Sequence, residues 1–177
     1  MAALAPERTF YFTGFSKCIM PGLRTGYLVA PERFETAVAN RHLVTNWMAT
    51  PLMAEIASGW IEDGTSAKLL DWQAAALARR NRLARDVLTG IDFRASPNGL
   101  HLWLPLPAPW TEEEFVVQAR LNGVAVAPGS SFSLVERPIP AAVRVCIGAA
   151  SEDALVRGLA IVARLIRNRP EPTLLTI

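Results

Sequence analysis

Apolar and polar positions along this chain follow two periodicities in turn, one typical of strands and one typical of helices. Short apolar and β-branched runs at residues 9–12 and 26–30 predict two buried strands on either side of a polar connection that contains glycine. Pro31 stands where a first helical residue is favoured, and apolar positions at helical spacing follow it. A second helix is predicted to begin at Pro51 and to end at Gly59.

The longest helical pattern covers residues 67–88. Apolar residues recur there every three or four positions until Gly90, and Thr65 or Ser66 provides an N-terminal cap. Such a helix would be roughly 30 Å long, enough to link two domains. The remaining pattern predicts a hairpin with strands at 92–94 and 101–104, a helix between a capping box at Thr111 and a stop at Gly123, strands at 124–126 and 143–147, and a last helix capped by Ser151.

These elements divide into two domains of mixed α/β and α+β class. Two strands and two helices cannot close a core alone. Residues 1–60 are therefore expected to be the trailing edge of a larger sheet whose earlier strands are not in this chain. Residues 61–177 are expected to form a small C-terminal domain, a sheet with helices packed on it, introduced by the long linking helix.

The composition of the chain indicates which classes of protein it can belong to. A chain of 177 residues that is 51% apolar, with mean hydropathy +0.22, is typical of a globular protein. It contains no apolar run of about 18 residues and no signal-peptide pattern, so we expect a cytoplasmic protein without a membrane span. Cys18 and Cys146 are too few for a disulfide scaffold, and His42 and His101 have no partners at ligand spacing, so no metal site is predicted.

Charge gives little support to nucleic-acid binding by this chain. The net charge is only +2, and the one basic cluster, Arg79, Arg80, Arg82 and Arg85, would spread over more than one face of a helix. A solvated helix surface or pairing at a domain interface is the simpler interpretation of that cluster.

Candidate chemistry lies in the segment between the first two predicted strands. Lys17, one of only two lysines, follows the first strand, and Arg24 precedes the second. A lysine amine can attack an aldehyde carbon, and the guanidinium fork of an arginine suits a phosphate dianion. From composition alone, a solvated lysine and a structural arginine remain the simpler interpretation, because most such residues lie in solvent.

The segment, which contains F-S-K and then P-G-L-R-T-G-Y, resembles the pyridoxal phosphate attachment motif of fold-type I aminotransferases. It resembles in particular the version in the MocR-type branch of GntR regulators, whose effector domain is an aminotransferase relative. Further blocks at residues 98–107, 123–132 and 143–148 are similar to the hairpin, the P-G-S turn and the closing strand of that branch. The resemblance therefore extends over nearly the whole chain.

The resemblance implies roles for three residues. Lys17 would attach pyridoxal 5'-phosphate as an imine and carry a proton in any transamination, and Arg24 would hold the phosphate of the cofactor. Arg144 would bind the α-carboxylate of an amino-acid-like effector or substrate through a bidentate pair. Without the resemblance, Arg144 would be interpreted as a strand-edge arginine that pairs with a local carboxylate.

Two features depart from the family pattern. Gly14 stands where the family usually has a serine or threonine whose hydroxyl meets the phosphate, although Thr13 precedes it. The family also places an aspartate on the pyridine nitrogen, from a strand that comes well before the lysine. In this chain all five aspartates follow Lys17. The electron-withdrawing power of the cofactor ring is weaker without that carboxylate.

Three functions are compatible with these observations. The first is the C-terminal part of the effector-sensing, aminotransferase-like domain of a pyridoxal phosphate-dependent MocR/GntR-type transcriptional regulator, a homodimer that contacts DNA only through an upstream domain. The second is the C-terminal part of a class I/II aminotransferase that transfers amino groups between an amino acid and a 2-oxo acid. The third is a truncated fragment without cofactor or activity, and we expect the isolated chain to be inactive and to bind the cofactor weakly or not at all.

Overall fold

The structure, a computed structural model, describes residues 2–134 and 140–168 of the chain. It divides into two compact units, Met1–Gln73 and Ala74–Ile177, and the division falls inside the longest helix. The assignment of residues 1–60 and 61–177 to a remnant of a cofactor-binding domain and a small domain stays a prediction.

The first unit contains a two-stranded antiparallel sheet followed by helices. Strands β1 (Tyr11–Gly14) and β2 (Gly26–Val29) pair from Tyr11 opposite Val29 to Gly14 opposite Gly26. Short helix α1 (Phe15–Cys18) and a 3-10 turn (Pro21–Leu23) lie in their connection. A second 3-10 turn (Glu32–Phe34) is followed by α2 (Glu35–Asn46), α3 (Pro51–Glu62) and α4 (Thr65–Val87), which continues into the second unit.

Two expectations for this unit were wrong. The first two strands are exposed rather than buried, with Phe12 81% and Val29 57% accessible. Burial of a strand requires neighbouring strands and covered faces, and within the described residues each of these strands has a single neighbour. Helix α3 also passes Gly59 and ends at Glu62, because the left-handed residue that lets the chain leave the helix is Gly64, with φ 78°.

A small core holds the β1–β2 connection against α3. Phe15 and Leu23 from that connection and Ala57 from α3 are buried together. Partly buried apolar side chains surround them, namely Ile19, Tyr27, Met53, Ile56 and Trp60. The connection is therefore fixed by its own apolar residues.

The second unit is an antiparallel sheet with helices packed on one face. The strand order is β3 (Arg94–Ala95), β4 (His101–Pro105), β6 (Ala142–Cys146) and β5 (Ala127–Pro128), and the helices are α5 (Glu112–Leu121) and α6 (Glu152–Arg167). Alternate residues of the two central strands, Leu102, Leu104, Val143 and Val145, are buried in the core with Phe115, Leu159 and Val162 of the helices. The intervening residues of these strands lie on the opposite face.

The local signals at the helix ends of this unit are confirmed. The capping box at Thr111 is present, since its hydroxyl accepts from the N–H of Glu114 at 3.2 Å and its N–H donates to the Glu114 carboxylate at 3.4 Å. The Ser151 hydroxyl accepts from the N–H of Ala154 at 3.3 Å and caps α6.

The strand predicted at 124–126 is wrong, because β5 is instead Ala127–Pro128. The N–H of Val124 donates to the carbonyl of Ala119 at 2.9 Å, and Gly123 has φ 82°. Val124 thus completes the C-terminal cap of α5 instead of joining the sheet.

Candidate functional site

The β1–β2 connection carries Lys17 and Arg24 in one loop. Gly14 and Gly26 form the last pair of the two strands, and the N–H of Phe15 donates to the carbonyl of Thr25 at 3.1 Å. The connection therefore starts and ends at adjacent backbone positions, with Lys17 near one end and Arg24 near the other. Both side chains are exposed in this chain.

Buried neighbours anchor the backbone of both residues. Phe15, only 6% exposed, lies two positions before Lys17, and Leu23, 2% exposed, immediately precedes Arg24. Both pack in the same small core on α3. The loop thus buries its apolar side chains and presents the amine and the guanidinium to solvent.

Two further hydrogen bonds surround Lys17. The side-chain amide of Gln73, on α4, donates to the backbone carbonyl of Lys17 at 3.2 Å, and the Cys18 thiol donates to the carbonyl of Gly14 at 2.9 Å. The last carbonyls of a helix have no hydrogen-bond partner within the helix. The Gln73 amide provides such a partner for the Lys17 carbonyl of α1. Sequence reasoning missed Gln73 because its contact joins positions 56 residues apart.

Arg24 occupies a conformation that disfavours most residues. Its φ of 49° and ψ of 22° are left-handed, and its N–H donates to the carbonyl of Pro21 at 3.3 Å. The left-handed conformation costs a residue other than glycine roughly 1–2 kcal/mol. A strained arginine at the end of a turn is a candidate functional residue, because glycine would meet the backbone requirement better.

The structure gives a physical reason for glycine at position 14. A Cβ added to Gly14 would lie 3.1 Å from the carbonyl oxygen of Thr25, and a Cβ added to Gly26 would lie 3.1 Å from that of Thr13. Each glycine therefore lets the partner backbone approach closely where the two strands end. A serine at position 14 would press its Cβ against a backbone oxygen.

Arg144 lies in the second unit, on the face of the sheet opposite the core. It is the cross-strand partner of Trp103 and alternates along β6 with buried Val143 and Val145. Its Cζ is 4.3 Å from the centroid of the Phe132 ring, whose edge-on contact with Trp103 has a centroid distance of 6.2 Å. The Arg144 Nε atom is buried without a hydrogen-bond partner among the described residues. A stacked guanidinium with an unused N–H is suited to an incoming carboxylate.

A buried carboxylate organises the neighbouring turn. Glu112, 7% exposed, accepts from the backbone N–H of Ser130 at 2.9 Å and from that of Ala142 at 3.0 Å. Burial raises the pKa of Glu112, but the hydrogen bonds from Ser130 and Ala142 outweigh it and hold the pKa below its ordinary value. Sequence reasoning took this residue only as part of the Thr111 capping sequence, because its partners lie 18 and 30 residues away.

The basic cluster of α4 makes contacts within the second unit. Arg79 forms an ion pair with Glu152 at 2.6 Å, and Arg80 donates to the carbonyls of Ile147 and Ala150 at 2.9 and 2.6 Å. Across residues 2–134 and 140–168, no group of three or more His, Cys, Asp or Glu could hold a metal ion. In the same part of the chain, no helix has the length and apolar character needed to cross a membrane.

Comparison with known proteins identifies the family. The family model described as aminotransferase class I and II matches residues 2–161. The chain belongs to this family. Among solved structures, the kynurenine aminotransferase of Pyrococcus horikoshii, determined in complex with PMP, superposes with a TM-score of 0.82 at 21% identity, covering 91% of this chain and 41% of its own. The fold of this aminotransferase-like chain is thus that of fold-type I aminotransferases.

Several relatives are named as transcriptional regulators. The HTH-type regulator YdeF of Bacillus subtilis is 28% identical over 94% of this chain and 36% of its own length. The HTH-type regulator TauR of Rhodobacter capsulatus is 29% identical over 92% and 34%. An aromatic-amino-acid aminotransferase of Thermococcus litoralis is 24% identical over 91% and 40%. The chain spans about a third of the length of the two regulators.

Proposed function

We propose that this chain is the C-terminal part of the effector-sensing, aminotransferase-like domain of a pyridoxal phosphate-dependent MocR/GntR-type regulator. The HTH-type regulators YdeF and TauR support this proposal, since both align with more than nine-tenths of this chain. DNA contact would belong to an upstream domain. The observation that carries the proposal is the pairing of Gly14 with Gly26, which places Lys17 and Arg24 in one closed connection.

The donor set in this connection fits two ends of pyridoxal 5'-phosphate. Lys17 offers a primary amine and Arg24 a guanidinium. Both are exposed on a loop whose apolar residues are buried against α3. The cofactor, when bound, supplies a reactive aldehyde and an electron-withdrawing ring. Because no aspartate precedes Lys17, this chain alone supplies no partner for the ring nitrogen from the family position. We therefore expect this chain to bind the cofactor weakly and the full-length protein to bind it firmly.

Each residue has a distinct role in the proposal. The Lys17 amine attaches the cofactor, and in any transamination it would take up and return the proton of the substrate Cα. The Arg24 guanidinium binds the phosphate. Arg144 binds the α-carboxylate of an amino-acid-like effector or substrate, supported by its stacking on Phe132 and by its buried Nε–H, which has no partner among the described residues.

Labelling of the two lysines tests the proposal. The chain is incubated with increasing pyridoxal phosphate and reduced with borohydride, and the modified peptides are located by mass spectrometry. Lys17 is expected to be modified at a lower cofactor concentration than Lys68, although both are exposed. Arg24→Ala should weaken the modification of Lys17 but not that of Lys68. Lys17→Ala should abolish the modification seen at the lower cofactor concentration, whereas Lys68→Ala should preserve it. Equal modification of the two lysines in the wild-type chain would contradict the proposal.

Aminotransferase activity is the second candidate function, favoured by the family itself and by the aminotransferase relative from Thermococcus litoralis. The same Lys17, Arg24 and Arg144 would serve it. The full-length protein, incubated with an amino acid and a 2-oxo acid, distinguishes the two functions. Sustained turnover abolished by Lys17→Ala favours the enzyme, whereas a ligand-dependent change in DNA binding without turnover favours the regulator.

A further inference from the structure

We propose that Glu112 is a positioning residue for Arg144. Its carboxylate holds the 3-10 turn Gly129–Phe132, and this turn places the Phe132 ring against the Arg144 guanidinium. The inference rests on the proposed function, because it concerns the carboxylate-binding role given there to Arg144.

The first step is the hold of Glu112 on the turn. The carboxylate accepts from the N–H of Ser130, within the turn, and from the N–H of Ala142, the first residue of β6. A carboxylate can accept both bonds because each oxygen has free lone pairs, whereas the amide of glutamine would direct a donor at one of these N–H groups. The side chain therefore ties the turn to the strand that carries Arg144.

The second step is the close fit of the turn against the sheet. A Cβ added to Gly129 would lie 2.9 Å from Trp103 Cη2, 2.9 Å from the Ala142 carbonyl oxygen and 3.0 Å from the Glu112 carboxylate. Glycine thus allows the turn to sit directly on the Glu112 carboxylate and the Trp103 ring. Ser130 and Phe132 belong to the same short turn, so fixing one restricts the other.

The third step leads from Phe132 to the guanidinium. The Phe132 ring lies 4.3 Å from Arg144 Cζ and makes an edge-on contact with Trp103. Because Arg144 Nε makes no hydrogen bond with any described residue, stacking on Phe132 is left to orient this edge of the guanidinium. If the turn moves, the Phe132 ring moves with it, and the guanidinium of Arg144 loses the contact that orients it.

A nuclear magnetic resonance experiment on the whole chain separates this role from a purely structural one. The Nε–H signal of Arg144 is assigned by its loss in Arg144→Lys, and L-norvaline serves as the α-carboxylate probe. Glu112→Gln is expected to shift or broaden this signal and to weaken norvaline binding by about tenfold, a typical effect of losing a residue that orients a ligand-binding group. Glu113→Gln, the same change at the exposed neighbouring position on α5, should leave both unchanged.

The outcomes distinguish this inference from the proposed function. If Glu112→Gln lowers the melting temperature but keeps the wild-type signal and the wild-type affinity, Glu112 is only structural and the inference is wrong. If the wild-type chain does not bind norvaline at Arg144, the carboxylate role fails, and the Nε–H signal alone still decides whether Glu112 positions the guanidinium. If Glu112→Gln does not fold, Phe132→Leu interrupts the same connection, and an unchanged Arg144 signal in that variant would overturn the inference.

Discussion

Arg24 combines a strained backbone conformation with a side chain that is proposed to bind phosphate. Its left-handed conformation ends the turn that begins at Pro21, and its buried neighbours Leu23 and Thr25 hold it there. The Thr25 hydroxyl donates to the carbonyl of Leu23 at 2.9 Å. The surrounding structure thus enforces a conformation in which glycine would be more stable than arginine.

Substitution of Arg24 should therefore separate stability from binding. We expect Arg24→Gly to have a free energy of unfolding about 1 kcal/mol higher than that of Arg24→Ala, because only glycine adopts this φ without strain. Cofactor labelling of Lys17 should fall in both variants. Urea denaturation measures the stability of each.

Arg41, exposed in the middle of α2, provides the matched control. There alanine should be more stable than glycine by about 1 kcal/mol, the opposite order, because helical backbone favours alanine. The same order at both positions would show that the left-handed conformation of Arg24 imposes no strain.

At the level of elements, the sequence predicted what depends on near neighbours. The caps at Thr111 and Ser151 and the hairpin turn before β4 are formed by residues within a few positions of one another, and all three are present. The burial of the first two strands was predicted wrongly, because burial depends on partners distant in sequence. The strand predicted at 124–126 was wrong for a different, local reason, since the backbone N–H of Val124 donates to the carbonyl of Ala119 and completes a helix cap.

The candidate site also contains residues that the sequence could identify and residues that it could not. Lys17, Arg24 and Arg144 could be selected from the sequence because their motifs are contiguous. Glu112 and Gln73 could not, since each acts on backbone groups brought near only by folding. The roles of the three motif residues stay predictions.

The 3-10 turn Gly129–Phe132 should be sensitive to acid through Glu112. Its pKa is lower in the folded protein than its ordinary value of 4.5, so the ionised side chain stabilises the fold above that pH. This stability should be lost as the pH falls below 4.5 through the lowered pKa. The difference in unfolding free energy between wild type and Glu112→Gln should be constant near neutral pH and shrink below pH 4.5.

Denaturation of both proteins at several pH values measures this difference. Glu113→Gln carries the same charge change at an exposed position and should show no comparable dependence on pH. A difference for Glu112→Gln that grows in acid would contradict the lowered pKa.

At the scale of the whole molecule, the first unit leaves much apolar surface exposed. Phe12 and Leu28 are cross-strand partners, 81% and 50% accessible, and Trp47 and Leu52 of the following helical segment are 71% and 63% accessible. Exposed apolar neighbours such as the cross-strand pair Phe12 and Leu28 favour association with other protein surfaces. We therefore expect the chain to form dimers or larger assemblies through the first unit.

Light scattering coupled to size exclusion tests this expectation. The wild-type chain should have a mass above the 19.3 kDa of one copy. Phe12→Thr combined with Leu28→Thr keeps a residue type that favours strands and should shift the mass towards the monomer. Leu121→Gln removes a side chain of similar exposure, 75%, from the second unit and should leave the mass unchanged. A monodisperse wild-type monomer would contradict the prediction.

The placement of the two thiols has a practical consequence. Cys18 follows Lys17 in the first unit, and the exposed Cys146 lies two residues beyond Arg144 on the same face of β6. Each unit thus carries one native attachment point for a nitroxide, with no cysteine to be introduced. Dipolar coupling between the two labels would measure the distance between the two units in solution, and replacing either cysteine by serine would supply the singly labelled reference.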